Sequence, residues 1–271
     1  MVGQKELLNQ IDTLISNKKF PKFSIIIGEQ GYGKHTICKY IAEGLGLDYL
    51  LFNNKIDDLR QFIDVISTQA SPYIYVLQDG DSMSLGAKNS ILKIVEEVPS
   101  QAYVILLIDN RNSALATLIS RAFVFELNNY SKEELVEYCN LKGYSNPEQL
   151  ILVANCPGEL DIASKVDVNS IISFAEKLID NVKYASLPNV MKVASKINGT
   201  DDDGYDLRLF LNAMYSVMVN RLENERNNSQ LKIYRDICLL ISEYSYKLRM
   251  RSSNLKYIVD SFIINLWRIT G

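Results

Sequence analysis

Apolar residues in the first half of the chain follow two patterns that alternate along the sequence. Short, nearly continuous apolar runs are typical of strands buried on both faces, and between them apolar residues recur every three or four positions, as on one face of a helix. Strands separated by helices in this order indicate an α/β domain with a parallel sheet covered by helices on both faces. The predicted strands are Phe23–Ile27, Tyr49–Phe52, Tyr73–Leu77, Tyr103–Ile108 and Phe123–Leu127.

The strand pattern stops after about Asn128, and the remaining sequence has helical periodicity. Ser131, followed three positions later by Glu134, predicts a capping box at the start of a helix. The composition of residues 198–204 predicts a loop. We therefore predict an α/β domain, a small helical domain and a larger helical domain. Their predicted boundaries are 1–128, 129–166 and 167–271.

Composition narrows the class of protein. The 271 residues are 47% hydrophobic and 23% charged, which is typical of a globular chain, and the net charge of −3 argues against bulk electrostatic coating of DNA. No apolar run approaches the roughly 18 residues of a membrane span and the first residues lack a signal-peptide pattern, so we expect a cytoplasmic protein without a membrane partner. Neither zinc nor a disulfide framework is expected, because the cysteines are scattered. They are Cys38, Cys139, Cys156 and Cys238.

A phosphate-binding loop is predicted directly after the first strand, where the chain has the frame G-x-x-x-x-G-K. In such a loop backbone N–H groups point at an anion, glycines allow its close approach and the lysine adds a positive charge. The residues we expect to bind a nucleotide phosphate, if one binds, are Gly28, Gly31, Gly33, Lys34, His35 and Thr36.

Two positions of this predicted site lack the groups that handle magnesium. His35 stands where a serine or threonine hydroxyl normally reaches Mg²⁺, and Thr36 lies about 100° further around the helix. His35 is the sole histidine, so we favour an exposed helix-start residue without chemistry over a metal ligand. After the third predicted strand, Gln78 and Asp79 replace the aspartate that holds Mg²⁺ and the glutamate that activates water. The sequence therefore predicts a degenerate site that requires no cofactor, with ATP or ADP binding left open.

Two segments resemble the clamp-loader branch of the AAA+ ATPases. Residues 78–99 match, without a gap, the family pattern D-E-x-x-x-(L/M)-(S/T)-x-x-(A/S)-x-N-(A/S)-L-L-K-x-L-E-E-P-P. Thr117–Ala122 is similar to the family's T-I-L-S-R-C. The positions of the first segment that carry the match are Asn89, Leu92, Lys93, Glu96, Glu97 and Pro99.

The resemblance implies an AAA+ α/β domain, a helical lid and a C-terminal helical collar that joins subunits into a ring. Arg121 would be an arginine finger that stabilises charge on the γ-phosphate in a neighbouring subunit, with a plain surface arginine as the alternative. Asp161 would stand where the lid normally carries an arginine, and Asp109 or Asn110 would stand at the sensor position after the fourth strand. The zinc module of many bacterial relatives is absent.

The resemblance also implies partners: other clamp-loader subunits in a hetero-oligomeric ring, a sliding clamp and, as a further candidate, the primer–template DNA backbone. Lys88 and Lys93 could track that backbone, although a solvated helix face is the more favoured interpretation. Three hypotheses follow. The chain is a ring member that does not hydrolyse ATP but donates Arg121, a competent ATPase with Asp79 or Asp81 recruited to metal, or an adaptor that uses the scaffold for protein binding alone.

Overall fold

The computed structural model describes residues 2–68, 72–197, 206–249 and 254–270. The loop predicted at 198–204 lies outside these ranges. The chain forms two compact units, which meet in sequence between Tyr130 and Ser131. The further division of the helical part into a small and a larger domain stays a prediction.

The first unit contains a five-stranded, entirely parallel sheet, as the sequence pattern predicted. The strands are β1 Phe23–Ile27, β2 Tyr49–Phe52, β3 Tyr73–Leu77, β4 Ala102–Ile108 and β5 Phe123–Glu126. Each predicted strand is present, with bounds that differ by at most one residue at either end. The strand order is β2-β3-β4-β1-β5, so β1 lies between β4 and β5.

Helices of the first unit alternate with these strands, and their apolar residues form the core with the sheet. All five residues of β1 are buried, which is the burial expected for a central strand of a sheet covered on both faces. Phe52, Phe62 and Tyr75 form an aromatic cluster with ring centroids 5.6 to 6.3 Å apart on the β2–β3 side of the sheet. The helices are α1 Lys5–Ser16, α2 Lys34–Leu45, α3 Ile56–Thr68, α4 Leu85–Glu96 and α5 Ala116–Ile119.

The described residues of the second unit form helices joined by turns and short loops, without a strand. The predicted capping box is confirmed: the Ser131 hydroxyl accepts from the Glu134 N–H at 3.2 Å, and the Glu134 carboxylate accepts from the Ser131 N–H at 2.9 Å. None of the described helices is both long and apolar enough to span a membrane. The helices are α6 Lys132–Lys142, α7 Pro147–Leu150, α8 Pro157–Ala163, α9 Val168–Asn181, α10 Leu187–Ile197, α11 Leu207–Asn224, α12 Asn228–Arg249 and α13 Leu255–Thr270.

Parallel strands place the predicted site residues at one edge of the sheet. The carboxyl ends of β1, β3 and β4 lie together, so the three segments that follow these strands meet there. They are the phosphate loop, residues 78–82 and residues 109–113.

Candidate functional site

The predicted phosphate loop leads from β1 into α2, which begins at Lys34. Gly31 and Gly33 have φ angles of 87° and 94°, in the left-handed region that favours glycine. Gly28 packs closely against Leu127: a Cβ at position 28 would lie 3.1 Å from the Cβ of Leu127, closer than an ordinary van der Waals contact. The loop glycines therefore give the chain the path of a phosphate loop.

Lys34, the cation of the loop, is fully engaged by the protein itself. Its ammonium group donates to the carbonyl oxygens of Gly28 at 2.5 Å and Glu29 at 3.2 Å, and to the Asp109 carboxylate at 2.6 Å. An ammonium group has three N–H donors, and three acceptors surround this one. The side chains of Lys34 and Asp109 are only 11% and 16% exposed, so water screens their attraction weakly. The negative charge expected from a phosphate is thus supplied by Asp109.

Asp81, a metal ligand in the second hypothesis, holds the turn that carries Asp109. Its carboxylate accepts from the N–H groups of Asp109 at 2.7 Å and Asn110 at 3.1 Å, and from the Ser113 hydroxyl. These bonds link the segment after β3 to the segment after β4. They also occupy most of the carboxylate's acceptor capacity, which a metal ion would need.

The magnesium side of the site holds neutral or short side chains. Desolvation and the charge of Lys34 lower the pKa of His35, while Asp79 raises it, so the net effect of its surroundings favours the uncharged ring. The Gln78 amide donates to the side-chain oxygen of Asn53 at 3.5 Å, at the limit of a hydrogen bond. Thr36 is exposed one position after His35. Among the described residues no group of three or more His, Cys, Asp or Glu side chains is placed to hold a metal ion.

Arg121 lies at the opposite edge of the sheet from the phosphate loop. It stands two residues before β5, in a groove of about 540 Å³ that also contains Phe23, the first residue of β1. Its guanidinium donates to the Thr117 carbonyl at 3.1 Å and pairs with the Glu96 carboxylate at 3.2 Å. The length of β1, roughly 16 Å for five residues, separates this groove from the loop of the same chain. Arg121 therefore cannot serve its own phosphate loop.

Sequence comparison finds subunits of DNA polymerase III. The family model described as DNA polymerase III, delta subunit, matches residues 50–131. DNA polymerase III subunit tau of Bacillus subtilis is 22% identical over 171 residues, which cover 52% of this chain and 30% of that protein. DNA polymerase III subunit gamma of Buchnera aphidicola is 24% identical over 169 residues, covering 51% of this chain and 47% of that protein. The matched region thus spans less than half the length of these relatives.

Solved structures agree on the fold. A DNA polymerase III gamma subunit-related protein from Thermotoga maritima has a TM-score of 0.52 and 15% identity, over 98% of this chain and 100% of that one. The chain is thus similar in sequence to subunits of DNA polymerase III and similar in fold to a protein related to one of them. The Thermotoga maritima RuvB Holliday junction branch migration motor has a TM-score of 0.52 and 15% identity, over 82% and 76% of the two chains. These likenesses show the AAA+ fold.

Two further residues suggested by the clamp-loader resemblance have structural partners within their own units. Lys88 donates to the Ser113 carbonyl at 2.7 Å and is partly buried, whereas Lys93 is exposed. In the helical unit, Asp161 accepts from the hydroxyls of Tyr138 at 2.9 Å and Tyr144 at 2.8 Å. Lys88 is thus engaged in holding the 111–113 turn, and Asp161 in holding α6 to α8.

Sequence reasoning missed the ion pair between Lys34 and Asp109. It placed Asp109 at the sensor position but did not see its partner. A signal was present in the sequence: Asp109 directly follows a predicted parallel strand, and Lys34 ends the loop that follows another. Only the order of the strands, in which β4 lies beside β1, brings the two side chains together.

Glu159, beside Asp161 in α8, provides a test of the helical unit by pH. Desolvation raises the pKa of the Glu159 carboxyl above its ordinary value of 4.5. Hydrogen bonds from the Asn155 N–H at 2.8 Å and the Asn212 amide at 3.1 Å lower this pKa, but their effect is smaller. A raised folded pKa means that the stabilising contribution is complete below about pH 4.5 and is lost as the pH rises through the folded value. Glu159→Gln keeps the acceptor oxygen without the charge. We expect the free energy of unfolding of this variant to rise relative to the wild type between pH 4 and pH 7.

Chemical denaturation at a series of pH values measures this difference. Glu148→Gln is the matched control, because Glu148 is exposed and should give a difference that does not change with pH. A difference for Glu159→Gln that stayed flat between pH 4 and pH 7 would show that the Glu159 carboxylate is solvated.

Proposed function

We propose that this chain is a delta-prime-like stator of a DNA replication clamp loader. It joins other clamp-loader subunits in a hetero-oligomeric ring, does not turn over ATP at its own degenerate site, and donates Arg121 to the ATP site of a neighbour. The proposal rests mainly on a difference between the two edges of the sheet: the cation at one edge is paired within the protein, and the cation at the other is exposed to solvent. At one edge Lys34 is neutralised by Asp109, and at the other Arg121 lies in an open groove.

The closed phosphate loop supports the first half of this proposal. A triphosphate could reach Lys34 only by replacing one of its three acceptors, and the Asp109 carboxylate would repel the incoming negative charge. Magnesium normally offsets that repulsion, but His35 and Gln78 supply no ligand of the usual kind for it. Binding of ATP or ADP is therefore weak and non-productive in this account, and no cofactor is required.

The exposure of Arg121 supports the second half. Arg121 and Glu96 are 42% and 47% exposed, and an ion pair with that much solvent is worth roughly 0–1 kcal/mol. A neighbour's γ-phosphate would compete easily with Glu96 for the guanidinium, because a phosphate carries more charge and matches its paired donors. The Glu96 contact is therefore too weak to prevent Arg121 from turning to a neighbour's phosphate.

The proposed partners are the ATPase subunits of the loader and the sliding clamp, with the primer–template backbone as a further candidate. Lys93 is the exposed lysine of α4 available for that backbone, since Lys88 is already bonded to Ser113. The setting of such a complex is the cytoplasm.

A competent gamma- or tau-like ATPase is the second candidate, favoured by the names of the matched relatives and by the intact G-x-x-x-x-G-K frame. Reconstitution with ATPase-competent loader subunits and primed DNA separates the two. The stator stimulates turnover by those subunits and adds none of its own. Turnover that this chain performs alone, and that Lys34→Ala abolishes, would instead favour the ATPase. Recovery of neither loader subunits nor a sliding clamp in a pull-down would favour an adaptor outside replication.

A further inference from the structure

The phosphate loop of this chain is bonded to the last residues of the first unit, which lead into the second unit at Ser131. The ring of Tyr32, within the loop, lies against the ring of Tyr130 with centroids 5.8 Å apart. The Tyr130 hydroxyl donates to the Tyr32 carbonyl at 2.9 Å, and the Tyr32 hydroxyl donates to the Asn129 side-chain oxygen at 3.2 Å. Tyr32 is only 8% exposed, so the loop places an ordered aromatic side chain at this contact.

The residue before these two is held from a different direction. The Gln4 side chain pairs with both backbone groups of Asn128, donating to its carbonyl at 2.6 Å and accepting from its N–H at 2.8 Å. Gln4 is 5% exposed, so water competes weakly for either bond. The three consecutive residues 128–130, which end the first unit and which we term the connecting peptide, are therefore each bonded to an earlier segment of that unit.

We propose that the phosphate loop acts in this chain as an internal anchor for the connecting peptide. Loops of this frame ordinarily order themselves around an anion, but here Lys34 is paired within the protein. The loop also closes on itself, since the Tyr32 N–H donates to the Glu29 carbonyl at 3.2 Å. The ordered loop thus presents the Tyr32 ring, hydroxyl and carbonyl to the connecting peptide.

Anchoring makes the loop and the connecting peptide a coupled pair. Loosening either one removes ordered partners from the other, and such coupling is reciprocal by thermodynamic necessity. Gln4 gives a way to test this, because its bonds fix the connecting peptide through Asn128 rather than through Tyr32. This coupling goes beyond the stator function, and it requires neither ATP nor a neighbouring subunit.

Hydrogen–deuterium exchange on the full chain without nucleotide tests the anchor. Tyr130→Phe keeps the ring and removes the bond to Tyr32, so exchange should become roughly threefold to tenfold faster in both the loop, 28–33, and the connecting peptide. Gln4→Ala should also accelerate exchange in both segments. Tyr40→Phe is the matched control: it removes a hydroxyl bond of 2.7 Å to Asp12 from α2 and should change neither segment.

The pattern among the variants decides the proposal. Faster exchange in both segments for Tyr130→Phe and Gln4→Ala, with Tyr40→Phe at the wild-type rate, supports the anchor. Loop exchange that stays at the wild-type rate in both test variants overturns it, as does a uniform rise across the whole first unit. Because no partner subunit is present, failure here leaves the stator function to its own experiment.

Discussion

Replacing Arg121 with alanine is expected to reduce about a hundredfold the ATP turnover that this chain brings about in a reconstituted clamp loader. The reason is the loss of a preorganised cation from the position where charge develops on the neighbour's γ-phosphate. Steady-state phosphate release, measured with ATPase-competent subunits, a sliding clamp and primed DNA, gives the comparison. The folded chain should be little affected, because the bonds lost are one partly exposed ion pair and one bond to Thr117.

Arg111 offers a matched control for this variant. It is also an exposed arginine in a weak ion pair, 3.6 Å from Glu126, but it lies just after β4, at the edge of the sheet that carries the phosphate loop. Arg111→Ala should leave turnover close to the wild-type value. Equal ATP turnover with the wild type and with Arg121→Ala would show that Arg121 is not an arginine finger. Equal losses of turnover with Arg121→Ala and Arg111→Ala would indicate a general effect of removing positive charge.

Replacing Lys34 with methionine is expected to destabilise the isolated chain by about 2–4 kcal/mol. Methionine preserves much of the side-chain volume but leaves the Asp109 carboxylate mostly buried without its cation. The double variant Lys34→Met with Asp109→Asn removes both charges and should recover much of this loss. Urea denaturation of the wild type, the two single variants and the double variant yields the coupling free energy between the two residues.

Lys39 serves as the control for Lys34. It lies on the same helix, 66% exposed, with a 3.8 Å contact to Glu43, so Lys39→Met should cost about 0.5 kcal/mol or less. If Lys34 had no partner within the protein and served only to bind a phosphate, Lys34→Met would lower the free energy of unfolding as little as Lys39→Met does. Zero coupling between Lys34 and Asp109 would therefore contradict the closed site.

The three central strands, β1, β3 and β4, could be predicted from the sequence because their burial is nearly complete. Tyr73–Leu77 needs no tertiary information to be recognised, and the structure has the same bounds. Ala102 was missed as the first residue of β4, since alanine has a weak strand signal. Leu127 was included in β5, yet it lies just past the strand and contributes one bond, from its N–H to the Ile27 carbonyl.

The site could be predicted only where the chemistry is local. The phosphate-loop frame and the replacements at His35 and Gln78 are visible in consecutive residues. The ion pair from Lys34 to Asp109 and the contact from Tyr32 to Tyr130 join residues 75 and 98 positions apart. Such pairs depend on the order of the strands and on the path of the chain after β5. The periodicity of apolar residues within one segment gives no information about either.

Binding and turnover of Mg²⁺–ATP by the purified chain alone test the central claim, that its own nucleotide site is closed while its arginine acts elsewhere. Equilibrium binding of labelled ATP and steady-state phosphate release should be measured on the wild type and on Lys34→Ala. We expect both proteins to release phosphate at the background rate and to bind ATP equally weakly. Phosphate release above background in the wild type that disappears in Lys34→Ala would contradict the account.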